Sequence, residues 1–309
     1  MRLELEYGEG MLAAELPDER TDVFIPGETV PDPPILEDPV AETKRAICNP
    51  IGMEPLSKQA QPDSQVVIVF PDRVKGGSHA TAHRRVSIPI VLEELYKAGV
   101  QKHNISFICS NGLHRKNKPH EIRDILGPDV YDEFSLLNNV SNHDSEDWDN
   151  LVDLGYDEDN NHVIMNKQVF EADIVVMLGH ALGNPYGGYS GGYKHCSTGI
   201  VHWKTIATNH NPRVMHAPDF TPVSSKSTMR HKFDSIGKHM EKQMGKKFFT
   251  IDAALDTYGR QITLAAGNTD DVQKITWETA NRRTYIPWAK EKYDIMIFGM
   301  PRFFHYGDG

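Results

Sequence analysis

Apolar residues run in short unbroken blocks at three places: Gln65–Phe70 (QVVIVF), Asn104–Cys109 (NISFIC) and Asp173–Gly179 (DIVVMLG). Blocks of this length, rich in β-branched residues, predict strands buried on both faces. After the first, Ile88, Val91, Leu92 and Leu95 recur at helical spacing, with Pro89 expected in the first turn and Gly99 just past the end. After the second, a helix is expected from near Asn117, with Pro119 early, Ile122, Ile125 and Leu126 inward, and Gly127 as its stop. The third leads through a long loop to a helix expected across Gly199–Thr208. Strands alternating with amphipathic helices predict an α/β fold, a parallel sheet with helices on both faces.

The remaining pattern fills in around that sheet. Residues 1–15 alternate about Gly8-Glu9-Gly10 and predict a hairpin, followed by a proline- and acid-rich connector, Pro17–Pro39. Arg230–Met244 reads as a helix with Phe233, Ile236, Met240 and Met244 on its apolar face. A hairpin (Lys247–Leu255, then Gln261–Ala266 after a turn at Tyr258-Gly259) and a helix, Thr269–Arg282, follow. Tyr293–Gly299 (YDIMIFG) predicts one more strand, without a covering helix. The expected organisation is a cofactor-binding and catalytic lobe over 1–285, then the beginning of a second α/β lobe over 286–309, cut short at Gly309.

Composition narrows the function. A net charge of −10 disfavours nucleic acid and anionic membranes as partners. No apolar run reaches membrane-spanning length, and the first residues lack a basic-then-apolar signal pattern. The three cysteines, Cys48, Cys109 and Cys196, lie far apart, which suggests a reducing, cytoplasmic compartment. Small-molecule chemistry is what remains.

In open α/β sheets ligands bind beyond the carboxyl ends of the strands. Three polar segments fall there: Asp72-Arg73-Val74-Lys75, Asn111–His114 and Asn184–Lys194. The last belongs to a glycine-rich stretch that carries one lysine, Lys194, and runs on to His210. Glycines that admit close backbone approach, a reactive amine and a potential metal ligand suit a bound cofactor. No Gly-Lys-Ser/Thr step follows, so this is not a nucleotide P-loop. Plainer readings stand beside this one. His114 either handles a proton or caps the next helix. His195, His202 and His210 match no common zinc spacing. Tyr186, Tyr189 and Tyr193 read as loop packing, and His79, His83, Arg84 and Arg85 as a solvated approach to a helix.

The motifs GLHR (Gly112–Arg115), GGYSGGYK (Gly187–Lys194) and TIATNH (Thr205–His210), in this order and spacing, resemble the lactate racemase family. The resemblance implies a nickel-pincer nucleotide, a pyridinium-3,5-dithiocarboxylate mononucleotide joined covalently to Lys194, with His210 completing the nickel site. It implies that His114 takes the substrate hydroxyl proton while hydride leaves the α-carbon. Asp72, Ser190, Gly191 and Gly192 would sit against the nucleotide, and Lys75 with Arg73 would hold the substrate carboxylate. The implied partners are a small 2-hydroxy acid and the cofactor-synthesis enzymes.

Two positions depart from the family. Ten residues before the lysine the family has a second histidine, and this chain has Asn184, which cannot shuttle protons at neutral pH. His180, four residues earlier, is the alternative base. Lys75 stands where the family has an arginine, keeping the charge but losing the bidentate fork. These changes suggest a substrate larger than lactate, such as a sugar acid. Two rivals remain: a zinc hydrolase built on His114 and His210, and a relative that holds the cofactor without catalysing.

Overall fold

The three apolar blocks become neighbouring parallel strands of one six-stranded sheet in the computed structural model, which describes residues 1–8, 10–73, 75, 77–284 and 293–301. In chain order the strands are β1 (Arg2–Gly8) and β2 (Gly10–Glu15), β3 (Val66–Phe70), β4 (Ile105–Cys109), β5 (Val140–Asn142), the pair β6 (Leu151–Tyr156) and β7 (His162–Asn166), β8 (Ile174–Ala181), the short pair β9 (Gly183–Asn184) and β10 (Gly188–Tyr189), β11 (Phe249–Leu255) and β12 (Gln261–Gly267). The central sheet has the order β12-β11-β8-β3-β4-β5. Its pairs are parallel except β11 with β12, which is antiparallel. The fold is therefore mixed α/β with a mostly parallel sheet.

Successive side chains of β3 point to opposite faces, and both faces are covered. Ile68 and Phe70 join Ile47, Ile88, Val91, Leu95 and Ile122 from three helices, Pro39–Cys48, His83–Lys97 and Pro119–Leu126. Val67 and Val69 join Cys196, Ile206, Ile236 and Met240 on the other side, from Tyr193–Gly199, Trp203–Ala207 and Thr228–Met244. Each large apolar side chain buried this way contributes about 1.5–3 kcal/mol. This two-sided burial is why the strands read as continuous apolar runs.

Three expectations need correction. Pro89 lies inside the helix His83–Lys97, because the helix opens at His83. The single helix expected across Gly199–Thr208 is two short ones, Tyr193–Gly199 and Trp203–Ala207, so Lys194 sits in a first helical turn. Residues 293–299 form no strand: pairing with β1 begins only at Tyr7 with Met300, and Ile295 through Phe298 stand exposed.

Met1–Asp32 form one compact unit with the C-terminal stretch described at 293–301, and Pro33–Thr284 form the other. The expected boundary near 285 lies outside the described residues. Among them no helix is long and apolar enough to cross a membrane, and all three cysteines are free.

Candidate active site

The carboxyl ends of β3, β4 and β8 meet at one cleft lined by Pro71, Lys75, Ser110, His180, Ser190, Gly191, Lys194 and His195. The segments meet by direct backbone packing. Gly112 has φ +54°, and a Cβ there would lie 2.3 Å from the Thr198 carbonyl oxygen, so the GLHR turn rests on the Lys194 helix.

Lys194 is half-buried. Its Nζ donates to the Tyr186 carbonyl at 3.0 Å and to Asn184 Oδ1 at 3.3 Å, with the Tyr186 and Phe233 rings 5.4 and 5.7 Å away. Desolvation, aided by the charges of Lys75 and Arg230, holds its pKa well below the usual lysine range. The neutral amine is the nucleophilic form. Asn184 Oδ1 also accepts from the Tyr186 N–H at 2.8 Å, so this amide organises the loop around the lysine.

His210 stacks on Tyr186, with ring centroids 5.3 Å apart and planes 17° from parallel. Its Nδ1 lies 2.5 Å from Asn209 Oδ1, an arrangement in which Nδ1–H donates and Nε2 remains for a metal. Burial, then the charges of Lys194 and His114, push its pKa down to about 4, which keeps the imidazole neutral and ligand-ready. Tyr186, expected to serve only as packing, therefore lies close to both the lysine and the histidine. Tyr189 and Tyr193 are buried as packing residues.

His114 Nδ1 lies 2.5 Å from Asp72 Oδ2. Burial alone would raise the Asp72 pKa, but the His114 hydrogen bond and the charges of Lys75 and Arg84 outweigh it and hold the carboxyl below its usual range. Asp72 thus orients His114 through Oδ2. Lys75 lines the cleft. Arg73 does not: its guanidinium turns to Glu121 at 3.4 Å, alongside Arg115.

The glycine loop is fastened from below. Ser190 N–H donates to the Leu182 carbonyl at 2.9 Å, and its hydroxyl bonds the His180 carbonyl at 2.9 Å while accepting from Leu182 N–H at 3.0 Å. Gly192 N–H donates to Asp252 Oδ2 at 2.8 Å. These bonds hold the loop's shape, and Ser190 and Gly191 line the cleft. Arg230, fully buried, donates to the carbonyls of Gly187 and Tyr189 and secures the other end. His180, still within β8, lines the cleft, where burial and the charges of Lys75 and Arg84 push its pKa down to about 3.

Sequence reasoning missed Asp252, Arg230 and the partnership of His195 Nε2 with Ser110 Oγ at 2.5 Å. An acid within FTIDAAL, an otherwise apolar strand, was the available signal for Asp252. His83 and Arg84 are buried, not solvated: Arg84 donates to the carbonyls of Pro71 and Asp72 and shapes the turn that carries Asp72. Among the described residues no group of three or more His, Cys, Asp or Glu side chains comes together as a metal site.

The family model of the lactate racemase N-terminal domain matches residues 7–221. The chain belongs to this family. The lactate racemase of Lactiplantibacillus plantarum is 24% identical over 290 residues, 92% of this chain and 64% of that protein. That of Thermoanaerobacterium thermosaccharolyticum is 27% identical over 209 residues, 67% of this chain and 46% of its own length. The family member thus spans less than two thirds of these relatives. The solved lactate racemase apoprotein from Thermoanaerobacterium thermosaccharolyticum superposes with a TM-score of 0.72 at 22% identity, over 90% of this chain and 61% of that one. A Thermotoga maritima protein gives 0.57 at 16%, over 78% and 57%. Both likenesses establish the family fold.

Proposed function

We propose that this chain is the cofactor-bearing lobe of a racemase or epimerase of 2-hydroxy acids, working with a nickel-pincer nucleotide joined to Lys194. The observation that carries the reading is the bracket formed by Lys194 and His210. The Lys194 amine, its pKa lowered by burial, and a neutral His210 imidazole both lie against the ring of Tyr186, at 5.4 and 5.3 Å. The donor set fits the group: a single imidazole suffices where the cofactor supplies the other ligands, and the flat aromatic walls suit a pyridinium. When bound, such a cofactor supplies an electron sink that can accept a hydride from the α-carbon and return it.

The chain's own residues prepare the substrate. His114, oriented by Asp72, takes the hydroxyl proton, which makes the α-hydrogen hydridic. Lys75 holds the carboxylate as a point charge. Asn184 steers the Lys194 amine, and His180 presents a further imidazole to the cleft. A lysine at 75 and an amide at 184 favour a 2-hydroxy acid other than lactate, with a larger polar chain.

The test is to produce the protein alongside cofactor-synthesis enzymes and follow single enantiomers of a panel of 2-hydroxy acids by chiral chromatography. Interconversion of at least one member, lost in Lys194→Ala, is expected. A protein that carries the adduct and interconverts none would overturn the reading.

A further inference from the structure

Besides the pair of His114 with Asp72, a second imidazole is set between an oxygen and a buried carboxyl, and this one borders the cleft. His195, one residue after Lys194, lines it, with Nε2 2.5 Å from Ser110 Oγ, a hydroxyl that also stands 3.0 Å from the Phe70 carbonyl oxygen as a donor. Its other nitrogen, Nδ1, is buried without a hydrogen-bond partner among the described residues, and so is Asp252 Oδ1. The two atoms face the same spot: a Cβ on Gly179 would lie 2.2 Å from Asp252 Oδ1 and 3.5 Å from His195 Nδ1. Glycine at 179 keeps the space between them open. A buried polar atom without a partner is costly, and each of these is the other's complement, a ring nitrogen and a carboxyl oxygen.

We propose that Ser110, His195 and Asp252 form a proton relay opening into the cleft, the second one after His114 and Asp72. The substrate hydroxyl gives its proton to Ser110 Oγ as the serine's own proton turns from the Phe70 carbonyl and passes to His195 Nε2. Asp252, bonded to Nδ1–H directly or through one water, stabilises the imidazolium, and the protons return when the hydroxyl is restored. Ser110 is the catalytic contact with substrate, and His195 and Asp252 are positioning residues behind it.

The chemistry asks for two such groups. If an enzyme holds the carboxylate and the α-hydrogen of either hand in fixed places, the hydroxyl points to different places in the two enantiomers. One base then serves one hand. His195 suits this role better than His180, because Ser110 fixes the His195 ring, whereas among the described residues no hydrogen bond orients the ring of His180. Burial pushes Asp252 up to about 7 and His195 down to about 3. Neither shift includes a bond to the other, and closing that bond would bring both back toward their ordinary ranges.

This inference rests on the proposed racemase reading, and its test separates the two. Histidine ¹⁵N-labelled protein without cofactor is examined by long-range ¹H–¹⁵N NMR, with His195→Gln used for assignment. Wild type should show His195 as the Nδ1–H tautomer at neutral pH, and Asp252→Asn should switch it to Nε2–H while His180 stays unchanged. In cofactor-loaded protein, Ser110→Ala and His195→Gln should each lower kcat in both directions by about 100-fold or more, with the Lys194 adduct and KM retained.

An Nε2–H tautomer in wild type, or a tautomer indifferent to Asp252→Asn, would overturn the relay. So would full activity in Ser110→Ala, which removes only a hydroxyl and guards against misfolding of the aspartate variant. If wild type never acquires the adduct, the racemase reading fails, and the tautomer still decides whether the relay exists.

Discussion

Asn184 Oδ1 accepts a hydrogen bond from Lys194 Nζ at 3.3 Å. The position where the resemblance implied a proton-transferring histidine is occupied by an amide that aims the lysine. Asn184→Ala should therefore slow attachment of the cofactor to Lys194 without preventing it. Loss of one such bond corresponds to a decrease of about three- to tenfold in rate, followed by intact mass over time during loading. An unchanged rate would show that the contact does not orient the amine.

The glycine loop predicts a graded stability effect. Gly191 has φ +75°, and a Cβ there would stand 2.5 Å from Asp252 Oδ2 and 2.9 Å from the His180 carbonyl oxygen. Gly245 has φ +68° with nothing within 4 Å. Gly245→Ala should cost only the left-handed strain, about 1–2 kcal/mol. Gly191→Ala should cost more, about 2–4 kcal/mol, because the clash adds to the strain. Urea unfolding of the two variants compares them directly, and equal costs would mean that the packing around Asp252 is loose.

Such contacts explain what was legible in the chain. The sheet could be read because Val66–Phe70 and Ile174–Leu178 are buried on both faces and so are apolar without interruption, and Ile105–Cys109 is broken only by the half-buried Ser106. Helix ends were harder. Tyr193–Gly199, rich in Gly, Ser and Thr, has weak helix propensity and is held by Gln273 and Asp252 from distant segments. The cleft's location followed from strand ends, and His114, Lys194 and His210 could be named from motifs. Asp252, Arg230 and Ser110–His195 could not, since their roles arise from partners some forty to eighty-five residues away.

Stability should fall in acid through the buried histidines. His83 and His210 are pushed down to about 4, and His180 to about 3, chiefly by burial. Their folded pKa values lie below the unfolded value near 6.5, so the unfolded chain binds protons first and stability drops as pH falls from about 6.5 to about 4. The net effect of these three groups is acid lability. His83→Gln, outside the cleft, should flatten the fall by on the order of 2–3 kcal/mol. Thermal melts across this range check it, and an equally steep fall in the variant would contradict it.

The nickel reading makes a separate demand on His210. His210→Ala should lose most of its metal while keeping the covalent adduct, because attachment depends on Lys194. Elemental analysis and intact mass on the same sample distinguish the two. Full nickel content in that variant, with loss in His195→Gln, would place the ligand elsewhere.

The central claim is tested most directly by the intact mass of protein produced together with cofactor-synthesis enzymes, followed by peptide mapping. The account predicts an added mass on the peptide containing Lys194, absent from Lys194→Ala of unchanged fold. Unmodified protein after loading, or an adduct that persists in Lys194→Ala, would contradict it.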